Sequence, residues 1–438
     1  MTGTAIRSSA RADILAALSE ARSRTMLLVS PLSDDDLRRQ HDPLMSPIIW
    51  DLGHIAHFEE LWLTRNLDGP IEFGEMPGLF NPFEHPRRVR GVLRLPTLDE
   101  SAALMAEIRS RVIDRFDRVE LDDEHALLHD GYVYHMVLQH EYQHGETILQ
   151  TLQLKQGAPY QPPRRRALPE RTTTIESGAM VLFPGGDVEI GTNDRSVAYD
   201  NERPTHLVRL APFLIDVAPV SNGAYLEFME ADGYRRREFW SDAGWAWLQE
   251  SGAIAPKYWY RSYGAWRNRV IDRDDVVDQS HPVCHVTYYE AEAYAGFRKK
   301  RLPSEAEWEA AASWDPVTGE KREYPWGDER PTEQHANLDQ LGFGTAPIGA
   351  YPLNRSPIGC YGMIGDVWEW TSSDFQGYPG FEVFPYREYS EVFFGSDYKV
   401  LRGGSWATRP GAIRNTFRNW DYPIRRQIFS GFRCARDA

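Results

Sequence analysis

The sequence has few cysteines, no long apolar run and no excess of positive charge. Its 438 residues contain three cysteines, Cys284, Cys360 and Cys434, which are too few and too scattered for a disulfide framework or a thiolate metal cage. No stretch approaches the roughly 18 consecutive apolar residues of a membrane span, and the first 25 residues mix acidic and basic side chains instead of forming a signal-peptide core. We therefore expect a cytoplasmic protein in which histidine or carboxylate side chains hold any metal.

The charge balance bears on the partners. The sequence has 49 basic and 64 acidic residues, and the net charge of −15 repels nucleic-acid phosphates and anionic lipid headgroups over most of the surface. We expect no nucleic acid and no membrane among the partners. The sequence does not indicate an oligomeric state.

Tryptophan is unevenly distributed, which indicates two architectures. Two of the 14 tryptophans precede residue 160 and the other twelve follow residue 239. Between these regions, the segment GAPYQPPRRRALPERTTTIESG breaks both helical and strand periodicity with prolines and clustered arginines. We predict a first domain over residues 1–156, a linker over 157–178 and a second domain over 179–438.

The first domain shows helical spacing of apolar residues in four segments. The first stripe consists of Ile14, Leu18, Ala21, Thr25 and Leu28. The second segment opens with Ser46 as cap and Pro47 in the first turn, and the third opens with the capping box formed by Thr97 and Glu100. The fourth runs from about residue 126 to Gly157. Four such helices predict a four-helix bundle.

The second domain consists of short, aromatic and glycine-rich pieces, which predict an irregular α+β fold with many loops. Two helices are expected in it, within TYYEAEAYAGFRKK and SEAEWEAAAS, and the second of them is capped by Ser304 with Glu307 three residues on.

Residues 140–144 read His-Glu-Tyr-Gln-His, so a helix would stack His140 and His144 on one face, able to grip one metal ion. The same letters fit the HExxH pattern of zinc metallopeptidases, in which Glu141 would be the general base. A metzincin would continue with glycine and histidine, where this chain has Thr147 and Gln150. A zinc metallopeptidase stays an alternative.

A third ligand is best sought in the segment Trp50–Phe58, which contains His54 and His57. His54 lies one turn from Trp50 and one turn from Phe58, on a face that should turn inward, and His57 is the competing candidate. Three neutral imidazoles with open positions suit Zn²⁺ or Fe²⁺, so these residues alone do not select the metal.

The first half resembles the DinB-like domain of the ergothioneine-biosynthesis sulfoxide synthases, or hercynine oxygenases, through HEYQH, WDLGH and EHPRRVR. The second half resembles the C-type-lectin-like domain of formylglycine-generating enzymes, also called sulfatase-modifying factors. The matching stretches are NERPTHLVRL, PVSNGAY, RLPSEAEWEAAAS, YPWGD, YGMIGDVWEW, VLRGGSW and GFRCARD. The pairing of the two halves is more specific than either half.

This resemblance implies a non-haem Fe(II) enzyme with His54, His140 and His144 as ligands. Such an enzyme uses O₂ to join the sulfur of γ-glutamylcysteine to imidazole C2 of hercynine and oxidises the sulfur to a sulfoxide. Related members accept free cysteine, or use histidine in ovothiol synthesis.

The resemblance also implies roles for residues around the metal. The set Arg87, Arg90, Asp421 and Arg425 would bind γ-glutamylcysteine, because arginine forks suit its carboxylates and a carboxylate suits its ammonium. Candidates for the trimethylammonium of hercynine are Trp50 and Trp420. Polar candidates are Gln143 and Tyr389, and the catalytic tyrosine matches Tyr386, with Tyr389 as its alternative.

Two further readings concern the second domain. A formylglycine-generating enzyme proper relies on a cysteine pair in its C-terminal part, whereas successive cysteines here are widely separated along the chain. A non-enzymatic, lectin-like binding of carbohydrate or protein is the other alternative.

Overall fold

The computed structural model describes residues 2–68, 78–121 and 125–438, and its contacts divide the chain into two units. The first unit contains the chain up to Pro163 together with two later segments, Asp194–Tyr199 and Val383–Tyr389. The second unit contains Arg164–Asn193, Asp200–Glu382 and Ser390–Ala438. The first unit is therefore completed by short segments from far along the chain.

Four long helices form the first unit: α1 (Thr2–Val29), α2 (Ile48–Glu60), α3 (Leu98–Phe116) and α4 (Tyr132–Gln153). Shorter helical pieces are Asp34–Arg38, the π-helical Leu61–Arg65, Asn66–Asp68, and the 3₁₀ turns Arg87–Val92 and His129–Gly131. The predicted stripe of α1, from Ile14 to Leu28, is buried, and the capping box of Thr97 and Glu100 opens α3. The predicted helical architecture of the first half is confirmed.

Three predicted helix boundaries are wrong. The cap of α2 is Pro47, because the Ser46 hydroxyl instead accepts a hydrogen bond from Arg90 Nη1 at 2.7 Å. Helix α4 begins at Tyr132 rather than near residue 126, because Asp130 and Gly131 have φ angles of 46° and 78°, which interrupt a right-handed helix. The helix ends at Gln153, before Gly157.

The second unit is a mixed α and β structure with much loop, as predicted. Its helices are α5 (Asn222–Glu230), α6 (Asp242–Ser251), α7 (Tyr288–Phe297) and α8 (Glu305–Ser313), with 3₁₀ turns at Asp200–Glu202, Arg237–Phe239, Glu391–Phe393 and Pro410–Ala412. The predicted capping box of Ser304 and Glu307 opens α8.

The strands are short and lie in small sheets. They are β1 (Met180–Phe183), β2 (Gly186–Ile190), β3 (His206–Leu210), β4 (Phe213–Asp216), β5 (Trp259–Ser262), β6 (Ala265–Val270), β7 (Arg273–Val276), β8 (Trp314–Asp315), β9 (Glu320–Lys321), β10 (Trp368–Phe375), β11 (Gly395–Arg402), β12 (Asn419–Asp421), β13 (Ser430–Gly431) and β14 (Ala435–Asp437). The sheet orders are β1-β4-β14, β12-β11-β10-β13, β2-β3, β5-β6-β7 and β8-β9. All pairs are antiparallel except β10 with β13.

The core of the second unit combines apolar side chains with buried ion pairs. Phe183, Phe213 and Trp308 pack in one apolar cluster. Beside Trp308, the buried Glu309 binds Arg402 Nη2 at 2.5 Å and Lys321 Nζ at 2.6 Å. A buried carboxylate needs such partners, because burial of an unpaired charge is costly.

Residues of the predicted linker are packed rather than free. The Tyr160 hydroxyl donates to Leu28 O at 2.7 Å within the first unit. Further along, Arg166 N donates to Leu341 O at 2.8 Å and Thr172 N donates to Gly349 O at 3.1 Å within the second. Of the helices in the described part of the chain, none is both long enough and apolar enough to cross a bilayer.

Candidate metal centre

Three imidazoles meet inside the first unit. His54 on α2 and His140 and His144 on α4 place their ligand nitrogens within 4.8 Å of one another. The ring centroids are 5.1 Å apart for His54 and His140, 4.9 Å for His54 and His144, and 4.5 Å for the two rings on α4. One ion at about 2.1 Å from each nitrogen needs only small side-chain rotations from this arrangement.

Hydrogen bonds fix the tautomer of two of these rings. His54 Nδ1 lies 2.9 Å from Phe80 O, and because a carbonyl only accepts, Nδ1 carries the proton. His144 Nδ1 lies 3.2 Å from Asp51 Oδ1. In both rings the lone pair therefore lies on Nε2, as in histidine ligands whose other nitrogen is held by an acceptor.

Gly53 permits the contact with Phe80. A Cβ atom at position 53 would lie 2.1 Å from the Phe80 ring, which is closer than any side chain can approach. Glycine in the WDLGH stretch thus lets the Phe80 loop approach α2 closely enough for its carbonyl to reach His54.

The third ring, His140, is held by stacking on Phe58, with ring centroids 3.7 Å apart and an interplanar angle of 9°. Burial lowers the pKa of His140 and of His54 far below the usual histidine range, and the neighbouring His144 lowers both further. Neutral imidazoles are the form that binds metals.

His57, the competing candidate, is not part of the three-histidine group. It is buried on α2, and its ring stacks beside His54 with centroids 6.2 Å apart. The structure thus groups His54, rather than His57, with the two histidines of α4.

Glu141 is committed to a buried charge network. It accepts hydrogen bonds from Arg22 Nε at 3.0 Å and Thr25 Oγ1 at 2.9 Å, and its other oxygen lies 3.5 Å from Arg109 Nη2. Both arginines also bind Glu59, so each of the four long helices supplies one charge. We call Arg22, Glu59, Arg109 and Glu141 the charge network. A carboxylate held in this way is not placed to activate water, as a metallopeptidase would require.

The segment Val383–Tyr389 brings two tyrosines to the first unit. The ring of Tyr386 is buried and lies 5.1 Å from Trp62 and 6.2 Å from Phe58, the ring that stacks on His140. Gln143 Nε2 donates to the hydroxyl of Tyr389 at 3.0 Å. Both predicted tyrosines and Gln143 are therefore close to the histidine group.

Arg90 and Trp50 form a stack that ends on a histidine. The guanidinium of Arg90 lies 3.4 Å from the Trp50 ring centroid, and the indole stacks on His54 with centroids 5.0 Å apart. Arg90 also donates to Ser46 Oγ and His85 O, each at 2.7 Å, and burial lowers its pKa to about 10. The exposed Arg87 donates to Leu44 O at 3.2 Å.

The remaining predicted residues lie in the second unit. Asp421 Oδ1 lies 3.5 Å from Arg425 Nε, so these two form an ion pair. Trp420 stacks on Phe375, with centroids 4.0 Å apart and an interplanar angle of 8°.

Comparison with known proteins covers the whole chain. The DinB superfamily matches residues 17–148, and the sulfatase-modifying factor enzyme 1-like domain matches residues 165–438. The hercynine oxygenase of Mycolicibacterium thermoresistibile is 45% identical, with 100% of this chain and 97% of the relative covered. The hercynine oxygenase of Mycobacterium tuberculosis is also 45% identical, over 96% and 97%. The chain belongs to the hercynine oxygenase family. The resemblance predicted from the sequence is confirmed.

The formylglycine-generating enzyme of Thermomonospora curvata is 32% identical to this member of the hercynine oxygenase family. The match covers 62% of this chain and 97% of the relative. Cys360 and Cys434 are buried, and both contact Asp216, through Cys434 N at 2.9 Å and Cys360 Sγ at 3.8 Å. Burial raises the pKa of Cys360 to about 11 and that of Cys434 well above its usual range. Burial and a raised pKa disfavour the thiolate form of these two cysteines at neutral pH, which argues against thiol chemistry at Cys360 and Cys434.

Two contacts of the histidine group, with Asp51 and with the backbone carbonyl of Phe80, were not predicted from the sequence. Asp51 carries a detectable signal, because it lies in the WDLGH stretch one turn before His54. The backbone carbonyl of Phe80 has none, since any residue could supply it.

Proposed function

We propose that the chain is a non-haem Fe(II) enzyme that joins the sulfur of γ-glutamylcysteine to imidazole C2 of hercynine in a step of ergothioneine biosynthesis. The sulfur is oxidised to a sulfoxide, so one atom of O₂ enters the product and the other leaves as water with the hydrogens of the thiol and of C2. The observation that supports this proposal best is the group of His54, His140 and His144 in a chain whose full-length relatives are named hercynine oxygenases.

The donor set fits iron. Three neutral imidazoles suit Zn²⁺ as well as Fe²⁺, but zinc has no redox chemistry and an oxygenase needs it. Bound Fe(II) would supply that redox chemistry and a positive charge that favours the thiolate form of the substrate. His54 and His144 would hold the ion through Nε2, since their Nδ1 atoms face acceptors, and His140 would supply the third imidazole. Three neutral ligands would leave the ion its 2+ charge and room for substrate and O₂.

Tyr386 is assigned the role of proton donor to reduced oxygen, which directs the oxidation toward C–S bond formation. Its ring packs on Phe58 and Trp62, beside the stacked His140. Tyr389 is the runner-up, and its hydroxyl already accepts from Gln143. We assign Gln143 and Tyr389 to substrate binding.

The thiol substrate carries two carboxylates and an ammonium. Arg87 is exposed and can turn its guanidinium fork to a carboxylate, whereas Arg90 has bonds to Ser46 and His85. We therefore assign the direct carboxylate contact first to Arg87.

Two substrate assignments remain, one from the family resemblance and one from the chemistry of a quaternary ammonium group. We propose that Asp421 and Arg425 take part in the recognition of γ-glutamylcysteine. An aromatic face suits the trimethylammonium of hercynine, and of the two candidates we assign this contact to Trp420, because the buried Trp50 ring is already stacked with Arg90 and with His54.

An anaerobic reconstitution tests the proposal. The purified chain is loaded with Fe²⁺, mixed with both substrates and exposed to O₂, and the products are analysed by mass spectrometry. We expect a coupled product heavier than the sum of the two substrates by the mass of one oxygen atom minus two hydrogens. Peptide hydrolysis, or no coupled product from iron-loaded protein, would contradict the proposal.

Two variants on one helix provide the matched comparison. His54→Ala is expected to lose the iron and all coupling, because two imidazoles remain. His57→Ala, one turn further along α2, is expected to keep both. Equal iron content in the two variants would remove His54 from the ligand set.

A further inference from the structure

A buried carboxylate without a cation as its hydrogen-bond partner lies beside the histidine group. Asp51 is 1% exposed, and its Oδ1 is 3.2 Å from His144 Nδ1. Its Oδ2 is also buried and makes no hydrogen bond to any residue in the described ranges. Among the described residues, the hydrogen bond of this carboxylate is thus made to one imidazole, that of His144.

Burial of such a group is costly unless the surroundings favour the charge. Asp51 lies in the first turn of α2, where the helix dipole favours a negative charge. The guanidinium of Arg90 is close enough to interact with it electrostatically. The position therefore tolerates a carboxylate, but its hydrogen bond goes to a residue of another helix, α4.

The three histidines differ in what holds them. His54 is bonded to a neutral carbonyl, His140 is stacked on a phenyl ring, and His144 is bonded to a carboxylate. A carboxylate on Nδ1 orients an imidazole and makes its Nε2 a stronger donor to a metal than a carbonyl does. His144 is thus distinguished from the other two.

We propose that Asp51 is a positioning residue of the metal site, which fixes the Nδ1–H tautomer and the ring orientation of His144 and strengthens its bond to the metal. This inference rests on the proposed function, because it needs a metal at the three histidines. It also explains the spacing Asp-x-x-His in the WDLGH stretch. One turn of α2 supplies a ligand, His54, together with the group that orients a ligand of α4.

Three variants test it. Asp51→Ala removes the acceptor and the charge, and Asp51→Asn keeps a carbonyl acceptor but removes the charge. Glu60→Gln is the control, because Glu60 lies on the same helix and pairs with Arg111 at the surface. The affinity for Fe²⁺ is measured anaerobically by competition with a chromophoric chelator, and thermal unfolding of the metal-free proteins is measured alongside.

We expect Asp51→Ala to lower the Fe²⁺ affinity by about 10- to 100-fold relative to the control. Asp51→Asn should restore part of this loss, because its amide oxygen still accepts from Nδ1. Because Asp51→Ala leaves the Nδ1–H of His144 without this acceptor in the metal-free protein as well, the Fe²⁺ affinities are compared at a temperature below the thermal transition of every variant.

The inference is overturned if Asp51→Ala binds Fe²⁺ within about threefold of the control, or if Asp51→Asn restores nothing. Failure of the unsubstituted protein to bind Fe²⁺ defeats the proposed function itself, which separates the two failures.

Discussion

Replacing Glu141 with glutamine tests whether the carboxylate of this residue is structural or catalytic. Glu141 is buried in the charge network, where it contacts Arg22, Thr25 and Arg109. Loss of its charge leaves the buried Arg109 and the largely buried Arg22 with Glu59 as the one remaining carboxylate of the network. Breaking a buried pair costs about 3–5 kcal/mol. Because glutamine still accepts a hydrogen bond, we expect a loss of about 3 kcal/mol in the free energy of unfolding.

For a unit of this size, about 3 kcal/mol corresponds to a fall in Tm of about 6–12 °C. The measurement is thermal unfolding followed by circular dichroism, with iron binding and product formation assayed well below the transition. Glu60→Gln, which breaks a surface pair, should lower the Tm by no more than about 2–4 °C. A Glu141→Gln protein with the Tm of this control but no activity would refute the reasoning and favour a general base at position 141.

Three further predictions concern substrate, product and pH. Arg87→Ala should raise the KM for γ-glutamylcysteine by about tenfold or more and the KM for hercynine much less. Arg90→Ala should have the same effect on the two KM values and should lower the Tm as well. Equal effects of Arg87→Ala on both KM values in steady-state assays would contradict this. Tyr386→Phe should keep iron and both substrates but divert the thiol toward its sulfinate; an unchanged product ratio by mass spectrometry would move the proton donor elsewhere. Burial by itself raises the pKa of Glu309, but its neighbouring ammonium and guanidinium groups outweigh burial and lower it to about 2. Because the folded pKa lies below the unfolded value, we expect a stabilisation of about 3 kcal/mol that is present above pH 4.5 and lost as the pH falls toward 2; urea midpoints should show this slope, weakened in Glu309→Gln.

Helices with a clear apolar period could be predicted from the sequence, whereas their exact ends could not. The stripe from Ile14 to Leu28 had to be buried somewhere, so its period was enough to identify α1. The Ser46 hydroxyl, predicted to cap α2, instead accepts a hydrogen bond from Arg90, which is 44 residues away in the sequence. The start of α4 depends on Asp130, a non-glycine residue with positive φ, which has no reliable sequence signal.

In the candidate site, too, local features could be predicted from the sequence, whereas contacts between distant residues could not. The spacing of His140 and His144 indicates a shared face, because helix geometry alone places residues four apart side by side. The pairing of Gln143 with Tyr389 joins residues 246 positions apart, and no local pattern encodes it. Asp51 falls between these cases, since its distance from His54 is local but its contact with His144 is not.

The assignment of Val383–Tyr389 to the first unit has a consequence for synthesis of the protein. During translation the three histidines are complete by residue 144, but the tyrosines that we place beside them are added only when residue 389 of 438 has been made. A nascent or truncated chain that ends near Pro163 would bear the histidines without Tyr386. Such a fragment could capture a redox-active ion without the residue that we assign to directing its reactivity.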